Sequence, residues 1–493
     1  MYKRLLPLVI LLCLQALLLF RSLDLLPVWG DELITLKLIP GSIREIFSFV
    51  ERDVHPPLYF VLVRAWTKLP LPWTGIAAAR AFSVVWMLIA TMLLDFFWMR
   101  SWQPLVRCSA LALFVFSPCL LLYGRMARSY SMQLTLSLLA VSVLWLWMQK
   151  PHSKTLGCAG LAAILGLLYT HYVPGFAIFG AFVLTSWRAL GLLKLGTFSA
   201  AVVLGYFPWI AALVQAIQRW AAVTSGSLYS LSGNLILEHV LKICYGLVSL
   251  TIGESFAVVS LLLSPLLLWL AIRGIRASAF PQQLLVWLAI AAMIGYLAVA
   301  HFDSYPFIPA RLLWLIPFGS LAVALGLSQL RSPAMRYGIG LILLLSYLTS
   351  DVLYFRRENF LNPGYNAPLP EIAEKLNQAV QPGDLILADA YNTDAYPLAL
   401  YLNTAISYIV LEGPRIQAVR HQLPSAKTVW IVRNTRDISP ERITTQIQSE
   451  ACAGRLQQDS LFAPYAHWQQ AAMKIAGLPP VTHFYQLTRC TVL

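Results

Sequence analysis

Long apolar runs recur along about the first 355 residues of this 493-residue chain. Each has the roughly 17 to 25 residues that a helix needs to cross a bilayer. Hydrophobic residues make up 58% of the chain and charged residues only 12%, whereas soluble domains carry about a quarter charged residues. The pattern therefore predicts a polytopic α-helical membrane protein.

The apolar runs predict about eleven transmembrane helices. The runs cover residues 5–23, 76–98, 104–122, 130–148, 156–170, 173–187, 195–215, 255–272, 282–300, 311–329 and 337–355. The first run has no small-x-small cleavage site, so we interpret it as a retained span. The stretch 156–187 is divided into two short helices at the Pro174-Gly175 turn signal.

Basic residues occur in every second short loop between the predicted spans. If Lys3 and Arg4 are cytoplasmic, every even loop contains a basic pair: Arg100 and Arg107, Lys150 and Lys154, Arg188 and Lys194, Arg273 and Arg276, Arg331 and Arg336. This is the positive-inside pattern, and it explains the net charge of +14 without a nucleic-acid partner. The sequence predicts an inner-membrane protein with a cytoplasmic amino terminus and, after an odd number of spans, an extracytoplasmic carboxyl-terminal part.

The chain beyond residue 356 has the composition of a soluble domain. Alternating helical and strand patterns, such as PEIAEKLNQAV, LILADA and KTVWIVRN, predict a small α/β domain over 356–493, after a membrane domain over 1–355. Cys452 and Cys490 are the only cysteines in this domain. In an oxidising compartment they could form one disulfide.

Three arginines in or beside the short outer loops depart from the rule that the other short loops obey. Arg125 and Arg128 belong to the stretch YGRMARSYS, and Arg311 follows HFDSYPFIPA. One interpretation is that they reach lipid headgroups. The other is an anion-binding site, because the guanidinium fork matches phosphate and a spacing of three places two side chains on one helical face.

The first outer loop, 24–75, contains two polar groups of residues. Asp31 and Glu32 follow a Trp-Gly turn and could act as a general base or metal ligand, or simply suit the first turn of a helix. Asp53 and His55 precede two prolines. His55 is interpreted as a ligand, a proton carrier or a cap of the following helix.

Four motifs together resemble a known family. They are VWGDEL after the first span, HPPLYF at the end of the first outer loop, RMARSY after the third span, and PARLLWL at a late span. The combination is similar to the bacterial family-39 membrane glycosyltransferases of the GT-C fold, relatives of the protein O-mannosyltransferases and of the lipid A aminoarabinose transferase. The resemblance covers residues 1–355 and implies transfer of a sugar from a polyprenyl-phosphate carrier to a lipid, glycan or protein hydroxyl on the outer face.

The resemblance also implies roles for individual residues. Asp31 is the leading catalytic carboxylate, and Glu32 is a weaker candidate. Asp53 and His55 would position substrate or metal, and Asp31 with His55 would hold a divalent metal (Mg²⁺, Mn²⁺ or Zn²⁺) if one is used. The donor phosphate would be bound by Arg125, Arg128 and Arg311, assisted by Tyr130. The aminoarabinose transferase has no histidine before its paired prolines, so that enzyme's acceptor is not carried over.

A transporter or flippase for a lipid-linked sugar is the alternative function. Such a protein should show related halves and broken helices near mid-membrane, and the sequence shows no such duplication. The polar residues gather at the outer face instead, which favours the transferase. Other polar residues of that face are interpreted as loop or interface residues, among them His171, Tyr172, Glu254 and those of a predicted outer loop over 216–254.

Overall fold

The computed structural model describes residues 2–53, 55–225, 235–277, 280–302, 308–389, 396–411, 415–435, 443–475 and 481–492. It divides into two compact units. The membrane unit comprises Met1–Leu23 and Thr35–Glu358, and the α/β unit comprises Asp24–Ile34 and Asn359–Leu493. The short segment Asp24–Ile34, which the sequence places in the first outer loop, is therefore grouped with the carboxyl-terminal residues.

The secondary structure described for the first part of the chain is helical. Its α-helices are α1 Tyr2–Phe20, α2 Gly30–Leu38, α3 Ile43–Val50, α4 Leu58–Trp66, α5 Gly75–Trp98, α6 Pro104–Val115, α7 Pro118–Tyr123, α8 Tyr130–Gln149, α9 Lys154–Leu168, α10 Tyr172–Leu190, α11 Leu192–Ser225, α12 Leu235–Ile252, α13 Leu263–Ala277, α14 Gln282–Phe302, α15 Ile316–Ser328 and α16 Pro333–Arg356. Short 3₁₀ helices precede α13 at Val258–Leu262 and α15 at Pro309–Leu315.

Eight helical segments of the described chain are long and apolar enough to cross a membrane. They are Gly75–Trp98, Tyr130–Gln149, Tyr172–Leu190, Leu192–Arg219, Val258–Ala277, Gln282–Ala300, Pro309–Ser328 and Pro333–Arg356. Three shorter apolar helices cover Leu5–Phe20, Pro104–Val115 and Lys154–Leu168. The chain is thus a multi-pass membrane protein. These segments coincide with the predicted apolar runs, and a total of eleven crossings stays a prediction.

Two stretches differ from the sequence interpretation. The predicted span 104–122 is two helices, because Pro118 lacks the N–H that would continue the helix and begins α7 instead. The predicted outer loop 216–254 contains α12, an 18-residue apolar helix. Glu238 and Lys242 form an ion pair of 3.0 Å one turn apart on this helix. Its two charges thus neutralise each other, which leaves the rest of the helix apolar.

Helices α13 and α15 cross at a glycine contact. A Cβ atom on Gly326 would lie 2.0 Å from the main-chain oxygen of Leu270, and one on Gly274 would lie 1.9 Å from that of Ala322. Small residues allow this close approach of two membrane helices. The crossing fixes the position of α15, whose carboxyl-terminal end lines a cavity between α6 and α16.

The α/β unit contains a five-stranded sheet with strand order β2-β1-β3-β5-β4. The strands are β1 Leu385–Asp389, β2 Ile409–Leu411, β3 Thr428–Asn434, β4 Leu456–Pro464 and β5 His483–Thr491. Strand β1 pairs in parallel with β2 and β3, whereas β5 is antiparallel to β3 and β4. Four helices accompany the sheet, α17 Leu369–Ala379, α18 Arg415–Gln422, α19 Ile443–Cys452 and α20 His467–Ile475.

Both faces of this sheet carry a hydrophobic core. Ile372 and Leu376 of α17 pack with Trp430 and Phe484 on one face. Val419 of α18 and Ile447 of α19 belong to the core of the other face. Cys452, at the end of α19, and Cys490, on β5, are joined by a disulfide with a Cα–Cα distance of 5.1 Å. The carboxyl-terminal residues therefore form the small α/β domain that the sequence predicts.

Candidate active site

Asp53, His55 and Arg128 form a line of hydrogen bonds in the membrane unit. The Nδ1 atom of His55 lies 2.7 Å from Oδ2 of Asp53, and its Nε2 atom lies 2.6 Å from Nη2 of Arg128. A guanidinium only donates hydrogen bonds, so Nε2 of His55 accepts and Nδ1–H donates to Asp53. The imidazole of His55 is therefore neutral in this arrangement, and it connects the carboxylate of Asp53 with the guanidinium of Arg128. The side chain of Arg128 is only 2% exposed.

The loop that carries Asp53 and His55 is held from two sides. Arg219 of α11 donates hydrogen bonds of 2.9 Å to the main-chain oxygens of Glu51 and Asp53. Just after the loop, the N–H of Leu58 donates to the main-chain oxygen of Tyr169 at 3.0 Å. These contacts fix the loop against α11 and the turn between α9 and α10.

The segment that carries Arg128 is held through its main chain. The hydroxyl of Ser83 on α5 donates to the main-chain oxygen of Arg128 at 3.3 Å. The hydroxyl of Thr35, in the part of α2 that belongs to the membrane unit, donates to the oxygen of Ala127 at 2.7 Å. Both bonds are buried, where hydrogen bonds hold geometry best because water does not compete for the same atoms.

An apolar cavity of about 260 Å³ meets this cluster. At its polar end it is lined by His55, His171 and Arg311, and elsewhere by apolar side chains: Pro56, Val173, Phe176, Leu213, Ala216, Ile217, Ile294 and Ala298, with Tyr172 also contributing. A cavity with apolar walls and convergent polar groups at one end is the usual form of a small-molecule site. An amphiphile with an anionic head and a hydrocarbon tail matches it.

His171 is buried at the polar end of the cavity, with 8% of its surface exposed. Burial lowers the pKa of His171 well below its usual value, and the nearby guanidinium groups of Arg311 and Arg128 lower it further. Its Nδ1 atom is buried and has no hydrogen-bond partner among the described residues. The sequence analysis interpreted His171 as a loop or interface residue and did not predict its place in this cavity. Only the fold brings His171 beside the arginines.

Arg125 has different surroundings from Arg128. Its guanidinium donates to the main-chain oxygens of Arg21 and Ser22. It also lies 5.3 Å from the ring centroids of both Tyr354 and Phe355. These contacts tie the end of α1 to the end of α16 and favour a structural role for Arg125.

Tyr130 begins α8 and is buried, at 3% exposed. Its ring packs edge-on against Tyr123 with a centroid distance of 5.9 Å. The hydroxyl of Tyr123 donates at 2.8 Å to Glu254, a fully buried carboxylate that also accepts from Tyr245 and Ser249. Sequence reasoning treated Glu254 as a loop residue, whereas the structure makes it an anchor for the end of α7, just before the two arginines.

Asp31 and Glu32 lie in the first turn of α2, in the α/β unit. Glu32 is 1% exposed and its Oε2 atom accepts from the N–H of Trp29 at 3.2 Å. Within this unit, Tyr401 accepts a hydrogen bond of 2.8 Å from the N–H of Val28. The ring of Trp29 also packs edge-on against that of Tyr365, with 5.3 Å between centroids. The carboxyl-terminal domain therefore holds the start of the helix that carries Asp31.

The surroundings of His55 do not suit a metal ion. Both ring nitrogens are engaged, one by Asp53 and one by Arg128, and a guanidinium at 2.6 Å would repel a cation. Across the described ranges, no three side chains of histidine, cysteine, aspartate or glutamate gather as metal ligands. Asp31, the other predicted ligand, belongs to the other unit.

Comparison with solved structures confirms the predicted GT-C fold. The chain is similar to ArnT from Cupriavidus metallidurans in the apo state, with 12% identity, a TM-score of 0.58, and coverage of 98% of this chain and 97% of that one. ArnT bound to undecaprenyl phosphate gives 12% identity, a TM-score of 0.55 and 98% coverage of both chains. The apo oligosaccharyltransferase of Archaeoglobus fulgidus gives 12% identity and a TM-score of 0.54, covering 100% of this chain and 89% of that one. No protein-family model and no curated protein matches the sequence.

Proposed function

We propose that this protein is an integral-membrane glycosyltransferase. It would transfer a sugar from a polyprenyl-phosphate-linked donor to a hydroxyl group of a lipid, glycan or protein. The observation that carries this proposal is the apolar cavity that ends at His55, His171 and Arg311, with Arg128 hydrogen-bonded to His55. We call it the donor cavity.

The donor cavity suits both parts of such a lipid. Its walls of Phe176, Leu213, Ile217 and Ile294 offer the apolar surface that an isoprenoid chain needs. Arginine binds phosphate oxygens through two parallel hydrogen bonds, and Arg311 lies where the walls become polar. Support also comes from similar folds: one ArnT structure contains undecaprenyl phosphate, and one of the Archaeoglobus fulgidus enzyme contains dolichol phosphate with an inhibitory peptide.

The chemistry is a single displacement at the anomeric carbon. The acceptor oxygen forms the new bond, the bond from carbon to the phosphate oxygen breaks, and the polyprenyl phosphate leaves with the electron pair. Arg128 and Arg311 stabilise the charge that develops on this leaving group, usually the largest single catalytic contribution. Asp31 takes the proton of the acceptor hydroxyl. One displacement inverts the anomeric centre.

The positive-inside pattern supports an orientation with the donor cavity on the extracytoplasmic side of the inner membrane. Arg128, Arg311 and His171 then act at the outer surface, and the α/β unit lies outside. No step is assigned to a metal ion, since the groups around His55 do not suit one.

Lipid binding and sugar transfer can be tested separately in purified protein. Arg311→Gln should weaken binding of undecaprenyl phosphate about 10- to 100-fold in a native mass spectrometry titration, because a charge-assisted hydrogen bond contributes about 1.5–3 kcal/mol. Arg276→Gln is the matched control, since Arg276 is an exposed arginine at the end of α13. Equal binding by wild type and Arg311→Gln would contradict the proposed donor cavity.

The alternative function, a flippase, gives a different result with a sugar-loaded polyprenyl phosphate. A transferase releases free polyprenyl phosphate when an acceptor extract is added, whereas a flippase binds and moves the donor intact. Release that depends on acceptor and disappears in Arg128→Ala would support the transferase. Transbilayer movement without release would overturn it.

A further inference from the structure

A second cavity lies in the membrane unit, between α6, the end of α15 and the first half of α16. It is a groove of about 650 Å³, within the range of about 300–1,000 Å³ that ligand sites occupy. Apolar side chains such as Leu105, Leu113, Leu341 and Leu344 line most of its length. We call it the Arg336 groove, after the one charged side chain among the described residues that line it.

Three of the polar residues that line the groove lie at or beside helix ends. Gln103 precedes α6, Gln329 follows α15, and Arg336 lies in the first turn of α16. The Nε atom of Arg336 donates to the main-chain oxygen of Leu330 at 2.6 Å, which holds the guanidinium in place. No acidic side chain lines the groove or forms an ion pair with Arg336 in the described part of the chain.

Other cations lie beside Gln329. Arg273 donates to the main-chain oxygen of Gln329 at 3.0 Å, and Arg331 is exposed two residues further along. The mouth therefore carries an excess of positive charge. A long apolar wall beneath a cationic mouth matches an amphiphile with a hydrocarbon chain and a negatively charged headgroup.

The groove and the donor cavity are at opposite ends of one membrane-spanning segment. Arg311, near the start of Pro309–Ser328, lines the donor cavity, whereas Leu325 and Ser328, at its end, line the groove. Twenty helical residues span about 30 Å. One lipid headgroup therefore cannot occupy both sites, and the groove belongs to the opposite leaflet.

We propose that the Arg336 groove binds one anionic phospholipid of that leaflet. An acyl chain would lie along α6 and α16, and the headgroup phosphate would contact Arg336. Under the orientation proposed above this is the cytoplasmic leaflet, whose anionic lipids attract basic residues at the membrane surface. The site is independent of the transferase chemistry.

Gly340 offers a direct way to close the groove. It lines the groove on α16, and a Cβ atom added there would meet no atom within 4 Å. Gly340→Leu would therefore fill space reserved for the acyl chain without disturbing protein contacts, and leucine favours a helix more than glycine does. Gly196→Leu is the matched control, since Gly196 of α11 is also helical, exposed and open on its Cβ side.

The test is a native mass spectrometry titration of delipidated protein with phosphatidylglycerol and with phosphatidylcholine of the same acyl chains. Wild type should bind one phosphatidylglycerol about 10-fold more tightly than phosphatidylcholine, the effect of about 1.4 kcal/mol. Arg336→Gln should abolish this preference, and Gly340→Leu should weaken the binding of both lipids. Arg276→Gln and Gly196→Leu should bind as wild type does.

Three results would overturn the proposal. The first is equal affinity of the wild type for the two lipids. The second is an undiminished preference for phosphatidylglycerol in Arg336→Gln. The third is loss of the bound phosphatidylglycerol in Arg311→Gln but not in Gly340→Leu, since that pattern would place the lipid in the donor cavity. Melting temperatures of all variants check that each one folds.

Discussion

The donor cavity and the Arg336 groove both combine apolar walls with positive charge at one end, yet they differ in how the charge is held. Beside the donor cavity, Arg128 is 2% exposed and is linked to Asp53 through the lining residue His55. In the groove Arg336 is only half-buried and is held by one main-chain oxygen. The positively charged side chain is therefore held more rigidly at the donor cavity than in the groove.

That difference bears on what each site can do. A charge buried in a low-dielectric environment interacts far more strongly than one at a wet surface, and fixed donors need no rearrangement while a bond breaks. The donor cavity meets both conditions, because hydrogen bonds hold its loops as well as its side chains. The groove meets neither and is suited to holding a lipid. The following predictions test this distinction, beginning with the largest expected effect.

Replacing Asp31 by asparagine should remove sugar transfer and leave lipid binding intact. A general base contributes about 10²- to 10⁴-fold to a rate, and asparagine keeps the size of the side chain without its basicity. Turnover should fall by that factor, while native mass spectrometry shows both the donor lipid and the phospholipid still bound. Full activity in Asp31→Asn and Asp31→Ala would remove Asp31 from the mechanism.

Tyr401→Phe should lower turnover by less than Asp31→Asn does, and it should not change donor binding. The hydroxyl of Tyr401 accepts from the N–H of Val28, three residues before Asp31, and loss of one hydrogen bond costs about 0.5–1.5 kcal/mol. Turnover should fall about 2- to 10-fold with KM for the donor unchanged. Tyr408→Phe, which removes a bond to the main-chain oxygen of Tyr396 in the same unit, is the control. Equal losses in the two variants would indicate general destabilisation instead.

The smallest effect concerns pH. Because the pKa of His171 is lowered in the folded protein, the unfolded chain binds more protons once the pH falls below about 6.5, the ordinary histidine value. Stability should therefore decrease on going from pH 7.5 to 5.5, by at most about 1.4 kcal/mol per pH unit for this group. His171→Gln should show a shallower decrease in melting temperature. Equal slopes in wild type and variant would contradict the assignment.

The same pH series distinguishes the two cavities. An arginine stays charged throughout this range, so the preference of the Arg336 groove for phosphatidylglycerol should not change between pH 5.5 and 7.5. A preference that changes with pH would mean that a titrating group, and not Arg336 alone, contributes to the groove.

Much of the fold could be predicted because it follows from local patterns. A run such as 76–98 must be helical in a bilayer, since no water there can satisfy its main-chain groups, and α5 covers Gly75–Trp98. LILADA and KTVWIVRN could be predicted as strands because both are apolar runs of strand-forming residues. They contain the buried strands β1 and β3. The break within 104–122 escaped prediction although Pro118 marked it, because the apolar run continues across it.

The sequence by itself determined the multi-pass helical class and, through its short motifs, the GT-C fold, because hydrophobic length and short motifs are local properties. Tertiary structure alone decided the rest. It separated Arg125, bound to main-chain oxygens, from Arg128, linked to His55, although the two are three residues apart. It also brought His171 to the cavity and Tyr401 to Val28. Such contacts join residues far apart in the chain, and they depend on how whole helices and strands pack.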